Sequence, residues 1–191
     1  NDAETRVNSP LMRPFEGAIL NDGEYKLIKC DWDDAISRVI GEMKNYRPEE
    51  IGFIASPFST LEDNFVLKRF AEEVIGTKSI GYIPKIEEND EDDFLIRADK
   101  TPNSKGFIYL GIKALSQVFN ESIINKKLKL IYIINDSISR INNSDELIKN
   151  IEVGIMHISN YIPTSTKATI VFPASTYAEI NGTIVNFQGR V

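Results

Sequence analysis

Leu128-Lys129-Leu130-Ile131-Tyr132-Ile133-Ile134, running into Asn135-Asp136-Ser137, is the stretch that sets the fold class. A nearly unbroken apolar run of strand length, closed by turn-forming residues, is what a strand buried on both faces requires. Such strands belong to the middle of parallel sheets. Working outward, Ile51–Ala55, Lys78–Ile83, Glu152–Ile158 and Thr169–Phe172 read as further strands. Segments of helical period separate them. Asp33 is a candidate N-cap for a helix with Ile36, Val39, Ile40 and Met43 on one face. Thr60 caps a second helix, with Glu62 and Asp63 in its first turn, Leu67, Phe70, Ala71 and Val74 along its stripe, and Gly76 as its stop. Thr101–Ser104 precedes a third, stacking Ile108, Ile112, Leu115 and Phe119, and Ser144 caps a short helix at Asp145–Lys149. This alternation predicts an α/β fold: an open, mostly parallel sheet with flanking helices. Residues 1–30 read as an N-terminal arm and β-hairpin, with Asn21-Asp22-Gly23 turning between Gly17–Leu20 and Glu24–Lys29. Residues 31–191 read as the α/β domain.

The 191 residues carry 22 Lys and Arg against 28 Asp and Glu, a net charge of 22 − 28 = −6. That balance argues against a dedicated nucleic-acid binder, which needs a basic surface. No apolar run approaches the ~18 residues that span a bilayer, and Asn1–Pro10 shows no signal-peptide pattern. An intracellular setting without direct membrane insertion is therefore expected. The single cysteine, Cys30, forms no internal disulfide and cannot alone hold a cluster or a zinc ion.

Two strand ends are candidate sites. Ser56-Pro57-Phe58-Ser59-Thr60 passes from an apolar strand to a helix N-terminus, where free N–H groups and the helix dipole suit a phosphate. Asp136, at the end of the central strand, has the place from which a carboxylate can hold a ribose or a guanine edge. Plain capping is the simpler reading of both turns. Cys30 reads as an inert thiol and His157 as a packed strand residue. Trp32 reads as an anchor between hairpin and first helix. The acidic run Glu87–Asp93 lacks the glycine turn of a metal loop and reads as a solvated loop or partner contact. Asn181-Gly182-Thr183 matches a glycosylation sequon that an intracellular chain would not use. Nothing assembles a nucleophile, a base and an oxyanion hole.

Taken together, these segments resemble a known superfamily. Arg6-Val7-Asn8-Ser9-Pro10-Leu11-Met12-Arg13, followed by Asp31-Trp32-Asp33-Asp34-Ala35, is similar to the start of the molybdopterin oxidoreductases. Phe172-Pro173-Ala174-Ser175-Thr176-Tyr177-Ala178-Glu179, with Gly182-Thr183, Asn186 and Gly189-Arg190, matches their L-P-A-x-x-x-x-E-x-x-G-T-x-x-N-x-x-G-R run. Thr164–Thr166 with Ala168 echoes the T-x-T-A before it. Ala55–Glu62 and Asp99–Gly106 look most like the large iron–sulfur subunit of NADH–quinone oxidoreductase, respiratory complex I. The departures are the missing cluster cysteines, Cys30 standing away from the metal-ligand segment, a short region between Gly106 and Leu128, and an end at Gly189-Arg190-Val191 where the family continues. They read as a fragment of a longer polypeptide, or as a compacted version without its cofactor.

The resemblance implies a non-catalytic structural domain of a respiratory complex that passes electrons from NADH through flavin and iron–sulfur clusters to quinone. Its partners would be the other subunits of that complex. Through them it would lie on the cytoplasmic side, peripheral at the inner face of the membrane. No cofactor would sit in this chain itself. The alternative is a fragment of a catalytic molybdopterin oxidoreductase such as formate dehydrogenase. Ser56, Ser59, Thr60, Asp136, Gly182, Thr183 and Asn186 would then contact the pterin-guanine dinucleotide. A third reading is a free-standing nucleotide-binding module.

Overall fold

A computed structural model of the chain describes residues 4–14 and 26–191. In chain order the elements are β1 (Leu11–Met12), β2 (Ile28–Lys29), α1 (Trp32–Lys44), β3 (Ile51–Ala55), α2 (Leu61–Arg69), β4 (Ile80–Tyr82), α3 (Ser104–Leu110), α4 (Gln117–Ile124), β5 (Leu130–Ile134), α5 (Ser144–Asn150), β6 (Val153–Ile158) and β7 (Ile170–Pro173). The strands form one sheet in the order β2-β1-β7-β6-β5-β3-β4. From β7 to β4 every pairing is parallel, and β1 and β2 extend the β7 edge antiparallel. The α/β class and the mostly parallel sheet are as the apolar runs predict.

Side chains alternate across the sheet and divide the core in two. Phe53, Ala55, Leu130, Ile155 and Phe172 face α1, α2 and α3 through Ala35, Met43, Leu67, Ala71 and Phe107. Ile54, Ile131 and Ile133 face α4 and α5 through Phe119, Ile123 and Leu147. A smaller cluster of Val7, Leu11, Met156 and Val171 lies under the N-terminal arm. After β3 the chain goes to β4 on one side, then returns to pair β5 on the other side of β3. That reversal makes the carboxyl ends of β3 and β5 a topological switch point, where open α/β sheets bind ligands.

Several local expectations are corrected. β2 pairs with Leu11–Met12, in the stretch expected to be an extended arm, and the Gly17–Leu20 and Asn21–Gly23 readings lie outside the described residues. Asp31, not Asp33, caps α1 by accepting the Asp34 N–H at 2.8 Å. Ile36 and Ile40 are about half exposed, because Ala35 and Met43 turn the helix toward the sheet. Val74 is likewise exposed where α2 runs on into a π-helical turn (Phe70–Ile75) that Gly76 stops at φ +85°. The single helix expected after Thr101 is two helices. Gly111 takes φ +67° after α3, and Ile112 and Phe119 then pack on opposite faces of the sheet. Asn143, rather than Ser144, precedes α5 as its cap. Trp32, the first residue of α1, stacks on Phe172 of β7 at 5.4 Å, and much of the hairpin it is expected to anchor lies outside the described residues.

Candidate functional site

The β3–α2 turn is built around a buried amide. Asn64 Oδ1 accepts the Ser56 N–H at 3.1 Å, while its Nδ2 donates to the carbonyls of Ser56 (3.0 Å) and Thr60 (2.8 Å). Thr60 caps α2 through Asp63 N–H, and the Asp63 carboxylate accepts the Thr60 N–H in return. Ser56 Oγ accepts from Phe58 N–H and donates to the Asn135 carbonyl at 2.8 Å, joining the ends of β3 and β5. Ser59 accepts from the Asn135 amide on its hydroxyl and from Asn103 on its carbonyl.

The C-terminal segment closes over this turn. Leu61 N–H, the first donor of α2, gives its hydrogen bond to the Thr183 carbonyl at 2.8 Å. The Thr183 side chain, and with it the Thr183 N–H that donates to Glu62 at 2.9 Å, lowers the Glu62 carboxyl below its ordinary value. Gly182 lies so near Thr60 that a Cβ would stand 2.5 Å from the Thr60 methyl. The donors that could have met a phosphate at this helix end are thus engaged by the chain itself.

At the end of β5, Asn135 adopts φ +42° and reverses the chain into Asp136. Asp136 is buried and grips Arg140 with both oxygens, at 2.7 and 2.8 Å, while accepting the Ser137 N–H. Burial pushes its carboxyl up, and the Arg140 guanidinium opposes that. Both contacts come from Arg140 Nη1 and are charge-assisted hydrogen bonds. Arg140 also donates to the Ile83 carbonyl and lies 5.3 Å over the Phe58 ring.

Two clefts flank Asn135. The first, about 450 Å³, has Phe70, Tyr132 and His157 in its lining, apolar sides that include Val66 and Ile180, and Ser59, Glu62 and Asp63 among its polar groups. His157 Nε2 and the Tyr132 hydroxyl are 2.6 Å apart, and the imidazole also packs on Phe172 at 4.8 Å. Burial holds His157 down at about 4 and pushes Tyr132 up to about 12, so both are neutral at pH 7. The second cleft, also about 450 Å³, brings Lys85, Asp136, Arg140 and Asn160 together beside Phe58. Both lie in the size range of small-molecule sites.

Of the residues singled out from sequence, Ser56, Ser59, Thr60, Asp136, Gly182 and Thr183 gather around the switch point. Asn186 stands apart, folding its own turn by accepting the Gln188 and Arg190 N–H groups. Asn64, Asn103, Tyr132, Asn135, Arg140 and His157 complete the arrangement, and sequence reasoning does not select them as site residues. Asn64 carries a signal all the same, being a polar residue three before Leu67 on the buried stripe of α2. Burial and the nearby carboxylates of Asp34 and Asp31 raise the Cys30 thiol, which fits an inert group. Among the described residues no group of three His, Cys, Asp or Glu could hold a metal ion, and no helix is long and apolar enough to cross a membrane.

No protein-family model matches the chain. It is 35% identical over 83 residues to F420-dependent formate dehydrogenase 1 subunit alpha of Methanococcus maripaludis, which covers 44% of this chain and 11% of that protein. F420-dependent formate dehydrogenase 2 subunit alpha of the same organism is 29% identical over 84 residues, with the same shares. The F420-dependent formate dehydrogenase subunit alpha of Methanocaldococcus jannaschii is 26% identical over 84 residues. The matched stretch thus spans 11% of the length of these relatives. The likeness to molybdopterin oxidoreductases falls on the formate dehydrogenase side, and nothing in these relatives points to the large iron–sulfur subunit of complex I.

Proposed function

We propose that this chain is an α/β domain of a formate dehydrogenase-like molybdopterin oxidoreductase and that its strand-end clefts hold the nucleotide end of the pterin cofactor. The observation that carries the reading is the convergence of Ser59, Asn135, Asp136 and Arg140 at the switch point, between two clefts of nucleotide size. The similarity to formate dehydrogenase alpha subunits supports it.

The residues fit such a group in part. Phe70, Tyr132 and the neutral His157 offer a planar base apolar and aromatic contacts, with Ser59 and Asn135 as nearby hydrogen-bonding groups. Arg140 and Lys85 bring positive charge to the second cleft, and Asp136 fixes the Arg140 guanidinium in place. The N-terminus of α2 does not fit a phosphate, because Thr183 and Thr60 already take its donors. On this reading Ser56, Thr60, Gly182 and Thr183 position the turn rather than touch the cofactor. The metal on the pterin would carry the two-electron chemistry of formate oxidation. Any iron–sulfur clusters of the parent protein would be ligated outside this chain, whose sole cysteine is Cys30.

The scaffold reading, a non-catalytic domain of an NADH–quinone oxidoreductase, draws support from one feature, the self-closed end of α2. Assay of the purified parent protein separates the two. Molybdenum or tungsten, extractable pterin and formate-dependent dye reduction are expected. Iron and flavin with NADH oxidation, but no pterin, molybdenum or tungsten, would overturn the proposal.

A further inference from the structure

Between β4 and α3 the chain makes an excursion, residues 84–100, whose backbone is fixed by its own hydrogen bonds. Ile86 and Asp99 form an antiparallel bridge, Glu87 N–H donates to the Ala98 carbonyl, and Lys100 N–H donates to that of Lys85. At the tip, Asp92 Oδ1 accepts the N–H groups of Phe94, Leu95 and Ile96 at 2.9, 2.6 and 2.8 Å. Lys100 Nζ ties down the carbonyls of Asp90 and Arg97, at 2.6 Å each. Arg97 pairs with Glu91 at 3.6 Å and lies 5.5 Å over the Phe187 ring, fastening the excursion to the C-terminal segment.

This stapled loop holds its apolar tip in water. Phe94 is 89% and Leu95 76% exposed. A merely solvated loop has no need of two adjacent large apolar side chains, and the Asp92 turn fixes their backbone where they have no cover. Around them Glu88 and Asp93 are exposed and acidic, while the exposed Asp90 and Glu91 carboxylates are held by Lys100 at 2.9 Å and by Arg97.

We infer that the Phe94–Leu95 tip is a plug that enters an apolar pocket rimmed by lysine and arginine on a neighbouring polypeptide surface. The apolar pair supplies the buried centre of such a contact, and the acidic collar selects a basic rim. The same collar repels anionic lipid headgroups. A second copy of this chain is a poorer match. Its own basic groove, lined by Arg47, Lys126, Lys127 and Lys129, also holds Glu49 and Glu50, and Lys129 is already paired with Glu50 at 2.7 Å. The inference stands apart from the cofactor reading, since the tip lines neither cleft.

The test uses the parent protein purified with its associated chains, with Phe94 replaced by the photo-crosslinker p-benzoylphenylalanine. Mass spectrometry is expected to find the crosslinks on one segment outside this chain's residues, apolar at the point of attachment and flanked by lysine or arginine. Their yield should fall several-fold at high salt, and likewise in a Glu88→Gln, Asp93→Asn variant, which leaves the Asp90–Lys100 and Glu91–Arg97 pairs of the loop in place. Phe94→Ser with Leu95→Ser, checked for an unchanged circular dichroism spectrum, should abolish the interaction of that segment with this chain. Scattered crosslinks, crosslinks only to a second copy or to lipid, no crosslinks, or a yield indifferent to salt and to the acidic collar would overturn the inference.

Discussion

His157 shows at the scale of one residue how the cleft sets a chemical property. Its imidazole is enclosed by Tyr132 and Phe172, and burial lowers it from its ordinary 6.5 to about 4. The unfolded chain therefore binds a proton below pH 6.5 that the folded chain refuses until about pH 4. Stability must fall as pH drops through that window, by about 3 kcal/mol in full, and this group contributes no pH dependence above it. Urea unfolding at pH 7 and pH 5 should show His157→Phe losing less stability on acidification than the wild type. Asn64 gives a second prediction. Leucine in its place would leave the buried Ser56 N–H without a partner, while the Ser56 and Thr60 carbonyls keep the backbone N–H groups of Ser59 and residue 64. One orphaned buried donor costs about 1–3 kcal/mol, and a loss of that size is expected by denaturant titration. The sequence marks His157 as a packed strand residue, and it is one. The cleft beside it is not legible there, because that cleft depends on which strands become neighbours.

Among the elements, local signals are legible in the sequence and tertiary choices are not. The five parallel strands announce themselves as apolar runs, and the capping box of Thr60 and Asp63 is a local signal. The break between α3 and α4 is different. Ile108, Ile112, Leu115 and Phe119 keep a near-helical period straight through it, yet Ile108 is exposed and Gly111 takes a left-handed conformation. Gly111→Ala should cost about 1 kcal/mol in thermal or urea unfolding, since alanine is strained at that φ. Glu50 offers a pH test on another element junction. Its contact with Lys129 at 2.7 Å and its hydrogen bonds from Arg47 lower it from 4.5 to about 2, and join the turn before β3 to the start of β5. Its stabilising contribution is therefore complete above pH 4.5 and lost as pH falls toward 2. Glu50→Gln should flatten that part of the acid-unfolding curve. The same curve in the wild type supplies the comparison.

For the whole molecule, the order β4-β3-β5-β6-β7 gives the site its place. It brings the ends of β3 and β5 together, so that residues 79 positions apart, such as Ser56 and Asn135, share a hydrogen bond. The C-terminal segment then seals one face of the junction and leaves the cleft beside His157 open to a ligand. That arrangement, with the likeness to formate dehydrogenase alpha subunits, is the basis for placing a nucleotide there. The most direct measurement is the guanine nucleotide and pterin released on denaturing the parent protein, compared with a Ser175→Trp variant. Ser175 is exposed at the mouth of the first cleft, so an indole there fills the space without disturbing the core. Nucleotide and pterin in the wild type, reduced about tenfold in the variant as for a loss of roughly 1.4 kcal/mol of binding, are the predicted result. Equal amounts in both proteins, or none in either, would contradict the account.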